Sequence, residues 1–512
     1  MSDHITNRVE ASHFVTTSRW WTWVALVVVF AAGIGIRLYD LKDPPLDFHP
    51  TRQLHSALIA RGMYYAKLDS APQWQRELAA QQQHDEGLIE PQIMETLAAW
   101  TYRLAGGEHL WIPRLYAILF WVLGGIPIFM LGRDLSDLRG GFVALVFYLF
   151  IQYGILASRS FQPDPLLTAS IAWAYWGMTR WQQKQSWGQA IAAGLLSGLA
   201  IYVKSTAVFF IGGAWLGLVL VGLGLKKALR NPQVWVMAVL TVLPYTLYHI
   251  YATYELNLLQ NQFALRFFPQ MWIDPTFYLQ WKAMLVKVMP LGWLLAAGVG
   301  WFLVREKSLR AMLLGSVAGY LVYGMLFSYY TGSHDYYQLP LIPLVALGVG
   351  MAAWVVFQQL RAVRWLETSI VVGVLAVFMI FEAWDARVAL KRIDKRSDVD
   401  FYTEVGSLFT PNDHVISMSQ SYGYPIAYWG WVNNTNWFYA GDFKLREMAG
   451  QQFDIQTFFQ EQTYGKDYFL VTNFSELDRQ PEIKQLLADH YPLIYKTDVY
   501  IVYDLCNPLP DK

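Results

Sequence analysis

The sequence predicts a polytopic α-helical membrane protein that ends in a small soluble α/β domain. Three observations predict it: a shortage of charge, a long series of apolar segments, and a change of character near residue 386. Of 512 residues, 55% are hydrophobic and 16% aromatic, while only 15% are charged. Soluble proteins average about 25% charged residues, so the deficit has to sit where water is absent. The 39 basic and 39 acidic groups cancel, which offers no clustered basic face to a nucleic acid. The 23 Trp, 31 Tyr and 29 Phe exclude a disordered chain. The lone Cys506 excludes an intrachain disulfide framework and a multi-cysteine metal site.

A helix needs roughly 17 to 25 apolar residues to cross the hydrocarbon layer. Such stretches occur at 20–36, 113–132, 140–157, 165–181, 189–203, 206–225, 234–252, 284–304, 311–328, 338–357 and 366–384, eleven in all. The pair around Lys204 is the weakest, because 189–203 is short and one kinked span would replace two. The first stretch also has the basic flank and small residues of a signal peptide; as a retained span it anchors the order that follows.

Orientation follows from the basic residues of the short joins. One alternating set holds Arg8, Arg19, Arg133, Arg139, Arg180, Lys184, Lys226, Lys227, Arg230, Arg305, Lys307, Arg310, Arg361 and Arg364, fourteen in number. The opposite set holds four: Arg159, Lys204, Arg266 and Lys282. The first set is therefore expected in the cytoplasm, with the N-terminus inside and two long segments, 40–112 and 386–512, outside. Merging the spans around Lys204 would break this alternation.

The expected domains are a membrane module at 1–385 and a soluble domain at 386–512. The second carries 12 basic and 17 acidic residues against 27 and 22 in the first, a balance of −5 against +5. HVISMS at 414–419, YFLVTN at 468–473, and PLIYKT with VYIVYDL across 492–505 read as strands from their β-branched and aromatic content. Segments 443–462 and 475–489 read as helices. No phosphate loop or catalytic triad is evident there, which leaves a lid or acceptor-recognition role.

Segment 40–112 is too long for a simple connector. Ile93, Leu97, Trp100 and Leu104 recur at helical spacing, and Leu54, Leu58 and Tyr65 do so less regularly, as expected of helices lying on the membrane with an apolar stripe in lipid. Given this sidedness, Asp47, His49, Arg52, Glu90, Arg159, Asp164, Lys204, Arg266, His334, Tyr336 and Tyr337 gather on one face. Carboxylates beside cations at the mouth of a helical bundle suit transfer from an anionic lipid donor. A carboxylate can take a proton from an acceptor, while Arg, Lys or a bound metal steadies a departing phosphate. Each has a plainer reading: Asp164 as a carboxylate at a helix N-terminus, Lys204 as a snorkelling lysine, Arg266 and the tyrosines as interfacial anchors.

Six pieces occur in a telling order: PPLDFHPTRQ at 44–53, EPQIMETLAAWTYRLAG at 90–106, IPRLYAILFWVLGGIPIFMLGRDL at 112–135, SRSFQPDPLL at 158–167, GLLSGLAIYVKSTA at 194–207 and HDYYQLPLIPLVALGVG at 334–350. In this order they resemble the polytopic glycosyltransferases of the C-type (GT-C) fold, in the group of the protein O-mannosyltransferases and the lipid A aminoarabinose transferase. The resemblance covers about the first 360 residues, and the trailing domain is similar to that of bacterial members.

The resemblance implies Asp47 as catalytic base, although the usual Asp–Glu pair is here Asp47, Phe48, His49. It implies Asp164 as the second carboxylate, with Arg159 preceding it. It places Arg52, Arg159, Lys204, Arg266, His334, Tyr336 and Tyr337 toward the donor phosphate, and Glu90 at the edge of the site. Whether a divalent ion is held by Glu90 and Asp164 stays open, since relatives differ.

The implied reaction moves a sugar from a polyprenyl-monophosphate carrier to an extracytoplasmic acceptor by inverting displacement, in a bacterial cytoplasmic membrane. The sugar and the acceptor, whether protein, lipid or polysaccharide, are not specified. A secondary transporter or flippase is the rival from another class; no internal repeat and no mid-membrane carboxylate speak for it. An oligosaccharide ligase using a lipid-diphosphate donor is the rival among enzymes, and a non-catalytic scaffold would leave the polar motifs unexplained.

Overall fold

The computed structural model describes residues 19–256, 265–359, 364–452 and 454–510. Arg8 and Arg361, used above for orientation, lie outside the described residues. The chain opens with α1 (Arg19–Leu38), then folds its first long segment into α2 (Pro50–Tyr65), α3 (Gln73–Glu86) and α4 (Ile93–Ala105). There follow α5 (Trp111–Leu135), α6 (Leu138–Phe150), α7 (Gln152–Ala157), α8 (Asp164–Lys184), α9 (Trp187–Val203), α10 (Ala207–Gly222), α11 (Leu225–Arg230) and α12 (Pro232–Tyr254). The membrane part ends with α13 (Pro275–Val288), α14 (Leu291–Leu303), α15 (Lys307–Leu326), α16 (Ser328–Ser333), α17 (Ile342–Gln359) and α18 (Arg364–Arg392).

All eleven apolar segments are helical, but they are not eleven equivalent spans. Among the described residues six helices are long and apolar enough to cross a membrane, or up to seven when one bent pair counts as a span; α6, α9 and α10 are shorter apolar helices. Two expected spans are broken. In 284–304, α13 and α14 meet at 89°, with Pro290 between them, whose missing N–H and fixed φ stop a helix from continuing. In 140–157 the chain breaks at Ile151, and Glu382 of α18 accepts a hydrogen bond at 2.7 Å from the Gln152 backbone N–H that begins α7. That carboxylate satisfies a donor that a helix start leaves free.

Lipid tails are as apolar as the helices, so tight association depends on close approach of backbones. Between α10 and α15, Gly213 and Gly217 face Gly315 and Gly319, and a Cβ at any of the four would collide with a facing backbone carbonyl. Both helices thus carry a glycine pair at the spacing that lets two backbones touch. The two helices flanking Lys204, α9 and α10, are separate elements.

The first long segment differs from its expected surface-lying form. On α2, Leu54 and Leu58 are fully buried in protein rather than lipid, because the helix is covered by α3, α4 and the terminal domain. On α4 the stripe does point outward: Trp100 is 64% and Leu104 89% exposed, while Met94, Ala98 and Tyr102 on the opposite side are buried.

Helix α18 runs past residue 386 to Arg392 before α19 (Arg396–Gly406). The terminal domain then contains β1 (His414–Met418), α20 (Tyr424–Trp429), β2 (Asn433–Asn436), α21 (Ala440–Met448), α22 (Ile455–Thr463), β3 (Tyr468–Val471), α23 (Phe474–Asp478), α24 (Pro481–His490), β4 (Leu493–Lys496) and β5 (Ile501–Asp504). The sheet order is β2-β1-β3-β5-β4; β1 is parallel to β2 and β3, and β5 is antiparallel to β3 and β4. Each expected helical stretch is two helices. Gly450, at φ 78, separates α21 from α22, and Pro481 starts α24 afresh after α23.

Side chains alternate across β1 and β3 as the pleat requires. Ile416, Met418, Phe469 and Val471 enter a core around Trp437, Phe459 and Leu487. Val415 and Leu470 enter the core shared with the rest of the protein. The domain is seated on α2 and α3 by polar contacts as well. The Arg61 guanidinium lies 3.8 Å over the Tyr428 ring and 4.0 Å over Trp431, and it donates to the Tyr428 carbonyl at 2.6 Å. Gln82 donates to the carbonyls of Ala427 and Val432 at 3.0 and 3.1 Å.

Candidate active site

Four charged side chains from four separate pieces of the sequence form one unit. Arg52, in the first turn of α2, donates to both oxygens of Glu90 at 2.9 and 3.1 Å. Lys204, where α9 ends, donates to both oxygens of Asp164 at 3.0 and 3.3 Å and stands 3.7 Å from Glu90. Asp164 opens α8 and is 2% exposed. Burial alone raises the Glu90 carboxyl, but the charges of Arg52 and Lys204 and the Arg52 hydrogen bond outweigh it and bring it down to about 2. On Arg52 burial opposes the charge, and Glu90, Tyr336 and Asp164 more than restore it.

This unit forms one wall of a cavity of about 230 Å³. Arg52, Glu90, Lys204 and Arg266 line it together with Tyr330, Tyr336 and Tyr337. The Lys204 ammonium is 5.5 Å from the Tyr336 ring and 5.7 Å from Tyr337. Three lining cations, set against Glu90 in the lining and Asp164 behind Lys204, leave one positive charge in excess, which an anion would balance. Beside it lies a second hollow of about 380 Å³, lined by Ile93, Leu97, Trp100, Tyr202 and Tyr248. An anionic head and an apolar body can thus be accommodated side by side.

His334 stands next to the cavity, with its ring 5.6 to 5.8 Å from those of Tyr330, Tyr336 and Tyr337. Its Nδ1 is 2.8 Å from the Ser333 hydroxyl. Burial, then the nearby His49, push its pKa down to about 4, with Asp335 working against them. His334 is thereby kept neutral at ordinary pH.

Asp47 and Arg159 belong to a different cluster and are absent from the cavity lining. Arg114, buried on α5, donates to Asp47 Oδ2 at 2.6 Å, to the Asp43 carbonyl at 2.6 Å and to the Arg159 carbonyl at 3.1 Å. Arg159 is 1% exposed and donates to the Asp40 carbonyl at 2.9 Å. Burial, and then Arg114, lower its pKa to about 10. Arg159 lies outside this cavity and braces the 40–47 loop through Nη2, while its Nε and Nη1 are buried with no hydrogen-bond partner among the described residues. Gln53 is the other brace. It donates to the Phe48 carbonyl at 2.6 Å and to Asp47 Oδ1 at 3.4 Å, and accepts from the Phe161 N–H at 2.9 Å.

The carboxylates named for a divalent ion do not fit one. Both oxygens of Glu90 and both of Asp164 already accept from cations. Among the described residues no group of three His, Cys, Asp or Glu side chains is close enough to share an ion. Sequence reasoning missed Arg114, Gln53, Tyr330 and Asp335. A lone arginine at the start of an otherwise apolar helix, in IPRLYA, was the available signal for Arg114.

The whole architecture has solved counterparts. ArnT from Cupriavidus metallidurans in the apo state is matched at a TM-score of 0.60 and 16% identity, over 95% of this chain and 98% of that one. The same protein bound to undecaprenyl phosphate is matched at 0.57 and 15%, with the same coverage. The chain has the C-type glycosyltransferase fold. The Archaeoglobus fulgidus oligosaccharyltransferase in complex with zinc and sulfate is a more distant likeness, at a TM-score of 0.52 and 12% identity over 88% of this chain and 68% of that one. The family described as dolichyl-phosphate-mannose-protein mannosyltransferase matches residues 90–251, a stretch that runs from Glu90 through Asp164 and Lys204. No curated protein matches the chain in sequence.

Proposed function

We propose that this GT-C-fold membrane protein is a glycosyltransferase that moves a sugar from a polyprenyl-monophosphate carrier to an acceptor on the outer face of a bacterial cytoplasmic membrane. The observation that carries the reading is the cavity holding Arg52, Lys204 and Arg266 around one carboxylate, with an apolar hollow beside it. ArnT from Cupriavidus metallidurans, a protein of the same fold, has been solved bound to undecaprenyl phosphate, which supports the same class of lipid here. The basic residues of the short joins support an inside N-terminus and an outside terminal domain.

In this reading the phosphate sits among Arg52, Lys204 and Arg266, and the lipid body runs along Trp100 and Tyr248. As the bond between the anomeric carbon and the phosphate oxygen breaks, negative charge grows on that oxygen, and the fixed cations stabilise it without having to reorganise. Asp164 and Glu90 hold Lys204 and Arg52 in place for this. Direct attack by the acceptor inverts the anomeric configuration. The resemblance assigns the acceptor's proton to Asp47, whose Oδ1, among the described residues, has only the 3.4 Å Gln53 contact.

The test is transfer by the purified protein from defined polyprenyl-monophosphate and polyprenyl-diphosphate sugars. Transfer from monophosphates alone is expected. Transfer from diphosphates alone makes the protein an oligosaccharide ligase, and lipid flux across sealed vesicles without transfer makes it a flippase. Equal turnover by Asp47→Asn removes that residue from the chemistry.

A further inference from the structure

The terminal domain reaches the wall of the anion cavity through one carboxylate. Glu86 is the last residue of α3, and its Oε2 accepts from the Tyr424 hydroxyl of α20 at 2.8 Å and from His55 Nδ1 of α2 at 2.5 Å. A carboxylate has no proton to give, so the imidazole carries one on Nδ1. The His55 and Glu86 side chains are 8% and 12% exposed, and the Tyr424 ring lies 6.4 Å from the His55 ring. Burial, and then the Glu86 charge, raise the Tyr424 hydroxyl well above its ordinary pKa, which keeps the bridging proton on the tyrosine.

His55 lies three residues after Arg52, on the same face of α2, and Glu90 lies four residues after Glu86. Gly87, at φ 64, turns the chain out of α3, and Ile89 and Glu90 then line the cavity. The segment between α3 and α4 is thus tied to α2 by two adjacent rungs, His55–Glu86 and Arg52–Glu90, and the first rung is tied to the terminal domain as well. Glu90 meets both Arg52 and Lys204, so the position of this segment decides how two of the three lining cations are held.

We propose that Glu86 is a positioning residue for the phosphate site: clamped by His55 and Tyr424, it fixes the segment that carries Glu90, and through Glu90 it sets Arg52 and Lys204 for the lipid phosphate. The proposal rests on the reading of the cavity given above. It adds a role for the terminal domain, which takes part in holding the donor phosphate without touching it. A cation displaced by about 1 Å stabilises a departing anion far less, and a carboxylate locked by two donors leaves its segment little room to drift. Seating of Tyr424 and readiness of the phosphate site are thereby linked.

Binding of polyprenyl phosphate to the purified full chain, together with donor KM and kcat, tests this in Glu86→Ala, Glu86→Gln and Tyr424→Phe. Glu86→Ala is expected to raise the Kd for polyprenyl phosphate and the donor KM by about tenfold, the scale of a residue that acts through a neighbour. Tyr424→Phe is expected to raise both by about threefold. Glu86→Gln, whose side-chain oxygen still accepts from Tyr424 and His55, is expected to stay nearer the parent than Glu86→Ala. A residue that only held the fold together would lower the amount of working enzyme, and so kcat, with Kd and KM as in the parent. Parent-like Kd and donor KM in Glu86→Ala, or in Tyr424→Phe should Glu86→Ala not fold, overturn the proposal and leave the transferase reading intact. Failure of the parent to bind polyprenyl phosphate overturns both the phosphate site and this role.

Discussion

Arg114 holds Asp47 through a 2.6 Å ion pair in which the arginine side chain is 1% and the aspartate 8% exposed. Removing one partner of a buried pair strands the other charge and typically costs about 3 to 5 kcal/mol. Arg114→Met is therefore expected to lower the melting temperature in detergent clearly, and more than Arg114→Lys, since the arginine also holds the Asp43 and Arg159 carbonyls. Equal melting of Arg114→Met and parent would show that the pair does not fix the loop.

Glu90 has its carboxyl lowered from its ordinary 4.5 to about 2, with Arg52 and Lys204 overcoming burial. A carboxyl depressed on folding stabilises the protein above its unfolded value, and that contribution is lost as pH falls from about 4.5 toward 2. Unfolding of parent and Glu90→Gln should therefore diverge most near neutral pH and converge as pH falls through this window. A difference that stays constant with pH would contradict the pairing.

His334 acts in the same sense over a higher window, because its pKa falls from its ordinary 6.5 to about 4 through burial and the nearby His49. The unfolded chain takes up this proton first, so stability is fully present above about 6.5 and declines as pH drops toward 4. His334→Gln is expected to flatten that decline. Melting temperatures of parent and variant across pH 4 to 7, about the range between the two states' titrations, provide the measurement, and parallel curves would count against it.

Arg61 is expected to hold the terminal domain on α2. It is sandwiched between Tyr428 and Trp431 and pairs with Glu108 at 3.1 Å. Arg61→Met should speed hydrogen exchange in 424–432 by about tenfold or more, since loss of a buried charge pair and a stacked cation weakens local closure. Unchanged exchange there would place the attachment elsewhere.

Much of this protein was legible in its sequence, for identifiable reasons. Apolar length marked the six helices long enough to cross a membrane among the described residues, because crossing lipid demands it. The breaks at Ile151 and Pro290 were hidden inside those same runs: hydropathy carries no information on direction, and the Glu382 carboxylate that meets Gln152 is remote in sequence. The strands rich in Ile, Val, Phe and Tyr stood out, whereas Asn433–Asn436 pairs through its backbone with side chains that resemble a loop. In the site, Arg52, Glu90, Lys204, Arg266, Tyr336 and Tyr337 meet at one cavity because each lies in a join or beside a helix end, and alternation of the joins groups them together. The division between that cavity and the Arg114–Asp47–Arg159 cluster depends on rotamers and burial that sidedness cannot resolve.

The central claim is that an anion cavity walled by Arg52, Lys204 and Arg266 receives the phosphate of a lipid monophosphate sugar. The most direct measurement is single-turnover sugar transfer by the purified protein from a polyprenyl-monophosphate donor, with the anomeric configuration of the product read by NMR, for parent and Lys204→Met. The account predicts transfer with inversion by the parent and a loss of about 100-fold or more in the variant, the scale set by removing one fixed charge from a departing anion. Transfer with retention, or undiminished transfer by Lys204→Met, would contradict it.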